Sequence, residues 1–200
     1  DNARKEEAQT LNSPFGKMLR ITRNGGIPAN NPYYKNPKVL GKDKAIWARG
    51  LRNPYSFAVQ PGTGQIFIND VGLSRAEEIN RGARGANYGW PRYEGYENNV
   101  RYAAPIFAYR HGFSATTGCA ITGGAFYNPP VGNFPAEYAG DYFFADFCSG
   151  WIRVRDAGTG GVSPFASNLQ NPVDLQVGPD GSLYVLERGA GAVTRVRSGG

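Results

Sequence analysis

Histidine, cysteine and methionine are nearly missing from this chain of 200 residues, which holds one His, two Cys and one Met. The single histidine, His111, sits in Tyr-Arg-His-Gly-Phe-Ser with no nucleophile motif beside it, which argues against a Ser-His-Asp machine. Neither cysteine has Cys-x-x-Cys or Cys/His spacing, so a structural zinc or dithiol redox centre is not indicated. No glycine-rich loop follows a strand and opens a helix, which removes the phosphate-cradling nucleotide folds. Apolar runs of 18 residues are missing too, and no basic-then-apolar leader opens the chain. The expectation is therefore no membrane span and no export signal of its own. The polar start, Asp1 to Leu11, runs straight into a turn and strand and reads as an entry into the middle of a larger protein.

Turn formers and rings are plentiful. The chain holds 28 Gly, 14 Pro and 26 aromatics (3 Trp, 12 Tyr, 11 Phe). A chain broken every few residues by turn formers, with large rings to bury between the turns, is all-β in composition. Apolar residues make up 40% and charged ones 19%, enough for a core but too evenly interrupted for long amphipathic helices. Almost no helix is expected.

The net charge is +6, yet the basic residues are scattered singly. Arg75, Arg81, Arg84 and Arg92 lie among Glu77, Glu78 and Glu94, which predicts a mixed-charge surface. Without a basic stripe the charge argues against a nucleic-acid partner and supports only weak attraction to anionic surfaces. Cys119 and Cys148 each lie beside a predicted strand. The expectation is a disulfide joining neighbouring strands of an exported protein; the alternative is two buried, inert thiols.

A repeat emerges from the strands. Gly64-Gln-Ile-Phe-Ile-Asn-Asp70, Gly140-Asp-Tyr-Phe-Phe-Ala-Asp146 and Gly181-Ser-Leu-Tyr-Val-Leu-Glu187 share a turn glycine, a polar residue, three residues dominated by β-formers, a spacer and an acid. The last two feed a following strand, Gly150 to Arg155 and Gly191 to Arg197. The second and third units start 41 residues apart, the length of one four-stranded propeller blade. The first and second are 76 apart, one blade plus an insertion placed at Gly85 to Gly118. With a strand near Lys17 to Thr22, this predicts one partial β-propeller domain over residues 1–200 with three to four blades. Closed propellers have about 4 to 8, so this chain alone should not close, and its open sheet edges call for a completing segment or partner chain.

The stretch from Gly50 to Gly95 is the most distinctive. It holds Gly-Leu-Arg-Asn-Pro, then Asp-Val-Gly, then Glu-Glu-Ile-Asn, then Asn-Tyr-Gly-Trp-Pro-x-x-Glu-Gly. In this order and spacing it resembles the glucose/sorbosone dehydrogenase family. The likeness continues through Ala8-Gln-Thr-Leu-Asn12, Gly16-Lys-Met-Leu-Arg-Ile21, Ile121-Thr-Gly-Gly124 and Gly178-Pro-Asp-Gly-Ser-Leu-Tyr184. It implies the C-terminal part of a six-bladed propeller that oxidises sugars with pyrroloquinoline quinone and calcium, in the periplasm or outside the cell.

By the same resemblance, Arg52 and Asn53 match the pair aimed at the quinone, a guanidinium fork with an amide beside it. The competing reading is a turn before Pro54 with Arg52 solvated. Gly72 and Leu73 match the loop whose carbonyls hold the cofactor's calcium, and oxygen donors suit that hard cation. Leu73 stands where some members have proline. Glu78 matches a carboxylate at a second, structural calcium, with Tyr88 and the segment Glu94 to Asn98, including Tyr96, supplying carbonyls. The competing reading makes Glu78 an exposed acid paired with Arg75 or Arg81.

Departures from the family pattern matter equally. The family's histidine base has no counterpart here, and His111 reads as structural, so no catalytic residue is assigned. A lysine of the family falls on Cys148, and two arginines fall on Asn171 and Val173. Each lost charge-assisted hydrogen bond is worth roughly 1.5–3 kcal/mol, so quinone affinity should be poor and the lone chain inactive. Two readings stand: part of a sugar dehydrogenase, or an extracellular propeller module that keeps calcium loops without quinone chemistry.

Overall fold

Three sheets stacked side by side, with a two-stranded ribbon at one end, make up the protein. The computed structural model describes residues 2–96 and 100–198. The ribbon pairs β1 (Lys17–Leu19) with β2 (Ile46–Arg49). The first sheet runs β3 (Pro54–Val59), β4 (Ile66–Asp70), β5 (Ala76–Arg81), β6 (Phe107–Arg110). The second runs β7 (Ile121–Phe126), β8 (Tyr142–Asp146), β9 (Trp151–Arg155), β10 (Val162–Ala166). The third has β11 (Pro172–Val177), β12 (Leu183–Glu187) and β13 (Ala192–Val196). Every named pair is antiparallel. Among the described residues the helical elements are three short 3-10 turns, Lys5–Gln9, Gly41–Ala45 and Ala136–Tyr138.

The three repeat units fall on equivalent strands: β4, β8 and β12 are each second in their sheet. Their period-2 alternation sends neighbours to opposite faces. Tyr142 and Phe144 of β8 join Phe67, Ile79 and Tyr109 of the first sheet. Phe143 and Ala145 join Leu175, Leu183 and Val185 of the third. All five residues of β8 are buried for that reason: its sheet is covered on both faces. Close ring pairs, Phe67 with Phe126 at 4.8 Å and Tyr109 with Trp151 at 5.1 Å, fill the first seam and add to the area they bury. Met18, Ala48 and Leu51 seal the ribbon against Ile68 and Tyr88.

This is a run of β-propeller blades that does not close into a ring. Two expectations need correction. The strand placed over Lys17 to Thr22 ends at Leu19 after a register shift against β2. The stretch 85–118, read as an insertion, contains β6, the outer strand of the first blade.

Candidate functional site

Antiparallel order puts the start of each blade's first strand and the end of its second at the same rim. Arg52 and Asn53 precede β3, and Gly72 and Leu73 follow β4. Cys119 precedes β7 and Cys148 follows β8, while Asn171 precedes β11. The acid that ends each repeat ties this rim together. Asp70 accepts the backbone amides of Arg52 (2.9 Å) and Asn53 (2.7 Å). Asp146 accepts those of Cys119 and Ala120 on one oxygen and of Cys148 and Ser149 on the other. Glu187 accepts that of Gln170.

In the first blade the clamp becomes something more. Asp70, Glu78 and Glu94 surround a void of about 10 Å³ with Gly50, Arg52, Gly72, Tyr88, Trp90 and Tyr93, a space that holds one water or a bare cation. Glu78 is buried and accepts from the Asn80 side chain (2.9 Å) and the Gly95 amide (2.6 Å). Burial, then the charge of Asp70, pushes its pKa above the ordinary carboxylate range. Burial likewise raises Asp70, against the Arg52 and Asn53 amides that favour its charged form. Glu94 goes the other way. Burial opposes its charge, but the amides of Leu73, Ser74, Arg75 and Ala76 all converge on its Oε1 at 2.8–3.1 Å and hold its pKa down. Gly72 permits that wrap, since a Cβ there would sit 1.9 Å from the Ala76 carbonyl oxygen and 2.7 Å from Glu94 Oε1.

Among the described residues, Asn80 Oδ1 beside Glu78 and Trp90 Nε1 at the void are buried without a hydrogen bond. An unsatisfied amide oxygen beside a buried carboxylate whose neighbours are also acids is the donor set a hard cation satisfies. The residues therefore fit calcium. For a quinone the void is far below the roughly 300–1,000 Å³ of small-molecule pockets, so such a ligand would meet only the rim. There the half-buried Arg52 donates to the Val71 carbonyl (2.9 Å) and lies 5.7 Å from the Trp90 ring centroid, with Asn53 exposed beside it.

Of the residues singled out in the sequence, Arg52, Gly72, Glu78 and Tyr88 meet around the void. Tyr88 anchors the wall by donating its hydroxyl to the Arg81 carbonyl (2.8 Å). Leu73 contributes an amide to Glu94, and Tyr96 stands apart, 61% exposed, its hydroxyl accepting the Ala108 amide. Within the segment Glu94 to Asn98, residues 97 and 98 lie outside the described residues. Arg52 is not simply solvated, and Glu78 is not an exposed acid. Nor is the Arg/Glu-rich stretch a mixed-charge surface, because Glu77, Glu78 and Glu94 are all buried. The sequence reading missed Asp70 and Glu94 as side chains of the site. Asp70 was visible as the acid that ends the repeat; Glu94 had no signal beyond its place after Trp90-Pro91.

His111 Nε2 lies 2.6 Å from Glu77 Oε1, and the other Glu77 oxygen accepts the Ile121 amide (2.9 Å). Glu77 is 0% exposed, and burial pushes its pKa up to about 8. Cys119 and Cys148 form a disulfide, with Cα atoms 5.6 Å apart. They are near Asp146, but bonded sulfurs are poor metal ligands, so that trio is not a metal site. Asn171 donates its amide to the Phe147 carbonyl (3.0 Å), and Val173 lies on β11. None of the positions Cys148, Asn171 and Val173 supplies a cation.

Blades of three or four antiparallel strands carrying a rim of acid-clamped loops define a β-propeller with a buried carboxylate centre. The glucose/sorbosone dehydrogenase family model matches residues 1–195, and the chain belongs to that family. Aldose sugar dehydrogenase YliI of Escherichia coli is 30% identical over 203 residues, covering 93% of this chain and 52% of that protein. Quinoprotein glucose dehydrogenase B of Acinetobacter calcoaceticus is 36% identical over 89 residues, 44% of this chain and 17% of that one. The solved soluble aldose sugar dehydrogenase of Escherichia coli, in its apo-form, superposes with a TM-score of 0.75 at 29% identity, covering 92% of this chain and 55% of that one. The chain thus spans about half the length of the Escherichia coli relative.

Proposed function

We propose that the chain supplies the calcium-binding and cofactor-facing blades of an exported sugar dehydrogenase dependent on pyrroloquinoline quinone. One observation supports this reading: the void lined by Asp70, Glu78, Glu94 and Arg52, with the Asn80 side chain, whose oxygen is unsatisfied, bonded to Glu78. Glu78 and Asn80 would hold a calcium ion there, and its charge would offset the mutual repulsion of the three acids. The Gly72 and Leu73 carbonyls are the match, by resemblance, for the cofactor's own calcium, and the loop that carries them is held in shape by Glu94. The chemistry such a quinone would supply, if bound, is an acceptor for the hydride lost by the sugar. Arg52 and Asn53 would orient one of its carboxylates at the rim through a guanidinium fork and an amide. No residue of this chain is assigned to accept the sugar's hydroxyl proton, since His111 is committed to Glu77.

A second reading has its own observation. The disulfide at Cys148, the amide bond of Asn171 to Phe147 and the strand position of Val173 leave three cation positions of the family without a cation. That favours a calcium-stabilised extracellular module without quinone chemistry.

Calorimetric titration of pyrroloquinoline quinone into the protein with excess calcium separates the two. Micromolar binding that is lost in Arg52→Met supports the dehydrogenase reading. No heat of quinone binding, with calcium still raising the melting temperature, supports the module. In either case the chain alone is expected to show no turnover of aldoses with an artificial electron acceptor; turnover would overturn that expectation.

A further inference from the structure

Arg153, at the centre of β9, is 8% exposed, and its Nε is buried without a hydrogen bond. Among the described residues no carboxylate pairs with it. Its guanidinium lies 5.8 Å from the ring centroids of both Phe107 and Trp151. Such contacts are worth about 0.5–2 kcal/mol, against several kcal/mol for desolvating an ion. Burial lowers its pKa, opposed by Tyr109. A buried cation is thus left short of an anion.

The charge opens onto space. Arg153 lines a cavity of about 560 Å³ together with Trp151, Ile152, Phe165, Ser149 and Phe113. Phe113 is 88% exposed, an aromatic wall standing in solvent beside the opening. The walls are fixed. Ser149 Oγ and Trp151 Nε1 both donate to the Thr117 carbonyl, at 2.9 and 3.0 Å. Gly112 donates to the Gly118 carbonyl (2.8 Å), Ser114 to Thr117 Oγ1 (3.0 Å), and the Cys119–Cys148 disulfide ties this loop to the turn after β8. The cavity belongs to the middle sheet, which packs against blades on both sides through β7 and β8. It shares no lining residue with the void at Glu78.

We propose that this cavity binds a small organic carboxylate with a planar apolar body. The Arg153 fork matches a single carboxylate, and the flanking rings and aliphatic side chains match a flat apolar group. With one cation, the site suits a monoanion better than a phosphate dianion.

Benzoate is the probe, with benzamide testing for charge and acetate for the ring. Binding is read by Trp151 fluorescence and by ligand-observed NMR. Benzoate is expected to bind at least about ten-fold tighter than either control, about 1.4 kcal/mol. Arg153→Met should lose that preference while the melting temperature holds or rises, because an unpaired buried charge is removed. Phe113→Ala, on an exposed loop, should weaken benzoate several-fold without disturbing the fold. Trp151→Phe should abolish the fluorescence change and leave the NMR signal. Equal binding of benzoate and benzamide, no binding of benzoate at tens of millimolar, or unchanged benzoate binding in Arg153→Met would each overturn the proposal.

Discussion

Gln9 and Asn87 face each other across 78 residues of sequence and exchange two amide hydrogen bonds, Gln9 Nε2 to Asn87 Oδ1 at 2.9 Å and Asn87 Nδ2 to Gln9 Oε1 at 2.8 Å. Gln9 also donates to the Trp90 carbonyl (2.6 Å), and Asn87 accepts the Gly89 amide (3.2 Å). The two sequence signatures Ala8-Gln-Thr-Leu-Asn12 and Asn-Tyr-Gly-Trp-Pro are thus one structural unit. It holds the loop that brings Tyr88 and Trp90 to the void. Because the partners are reciprocal, their loss should not add. Gln9→Ala and Asn87→Ala should each cost about 1–2 kcal/mol, and the double variant less than the sum by at least about 0.5 kcal/mol. Urea denaturation of the four proteins gives the coupling; strict additivity would refute the pairing.

The acid clamp of the middle blade carries the largest load. Asp146 is fully buried, satisfies four backbone amides and accepts the Tyr109 hydroxyl (2.9 Å). Gly118 lies so close that a Cβ there would fall 2.0 Å from Asp146 Oδ2. An asparagine keeps one acceptor and turns a donor toward amides that are themselves donors. Asp146→Asn should therefore destabilise by about 2–4 kcal/mol. The equivalent Glu187→Gln, where one backbone amide is at stake, should cost about 1 kcal/mol or less. Equal losses in thermal or urea unfolding would show that the clamp is generic.

How much of this was legible depended on the kind of interaction. The second strand of each blade could be read because turn glycine, β-formers and acid recur at blade spacing. The first strand of each sheet was missed for a different reason: Asn53-Pro54-Tyr-Ser-Phe-Ala-Val59 and Asn171-Pro172-Val-Asp-Leu-Gln-Val177 share an Asn-Pro-x-x-apolar-x-Val pattern, but Ile121-Thr-Gly-Gly in the middle blade breaks it. Burial of Glu77, Glu78 and Glu94 was invisible because charge predicts exposure unless partners are known. Those partners are backbone amides of Leu73 to Ala76, Gly95 and Ile121, which carry no residue-type signature. The Arg153 cavity was equally hidden, as Trp-Ile-Arg-Val-Arg reads as an ordinary strand with an outward arginine.

Calcium should act through Glu78. If the ion occupies the void, saturating calcium at about 100 times its dissociation constant adds roughly 2.7 kcal/mol, which in a chain of this size raises the melting temperature by about 5–10 °C. Glu78→Gln removes one of three mutually repelling acids, so in chelator its melting temperature should equal or exceed that of the parent. The same variant should lose most of the calcium response. A full calcium shift in Glu78→Gln would move the ion elsewhere.

Glu77 makes the stability pH-dependent. Its carboxyl is raised from 4.5 to about 8 by burial, with Asp146 and Asp70 adding to the shift and the Ile121 and Gly72 amides opposing it. A raised carboxyl pKa means that the folded chain keeps a proton the unfolded chain releases, so stability falls as pH rises from about 4.5 to about 8 and levels off beyond. In chelator the melting temperature is expected to drop over that window by about 5 °C or more. Glu77→Gln keeps an acceptor for the Ile121 amide but holds no titrating proton, so its curve should be flatter by the Glu77 contribution. His111→Asn should break the 2.6 Å contact while leaving the buried carboxyl, so the slope should persist. A slope unchanged in Glu77→Gln would assign the pH dependence to Asp70 and Glu78 instead.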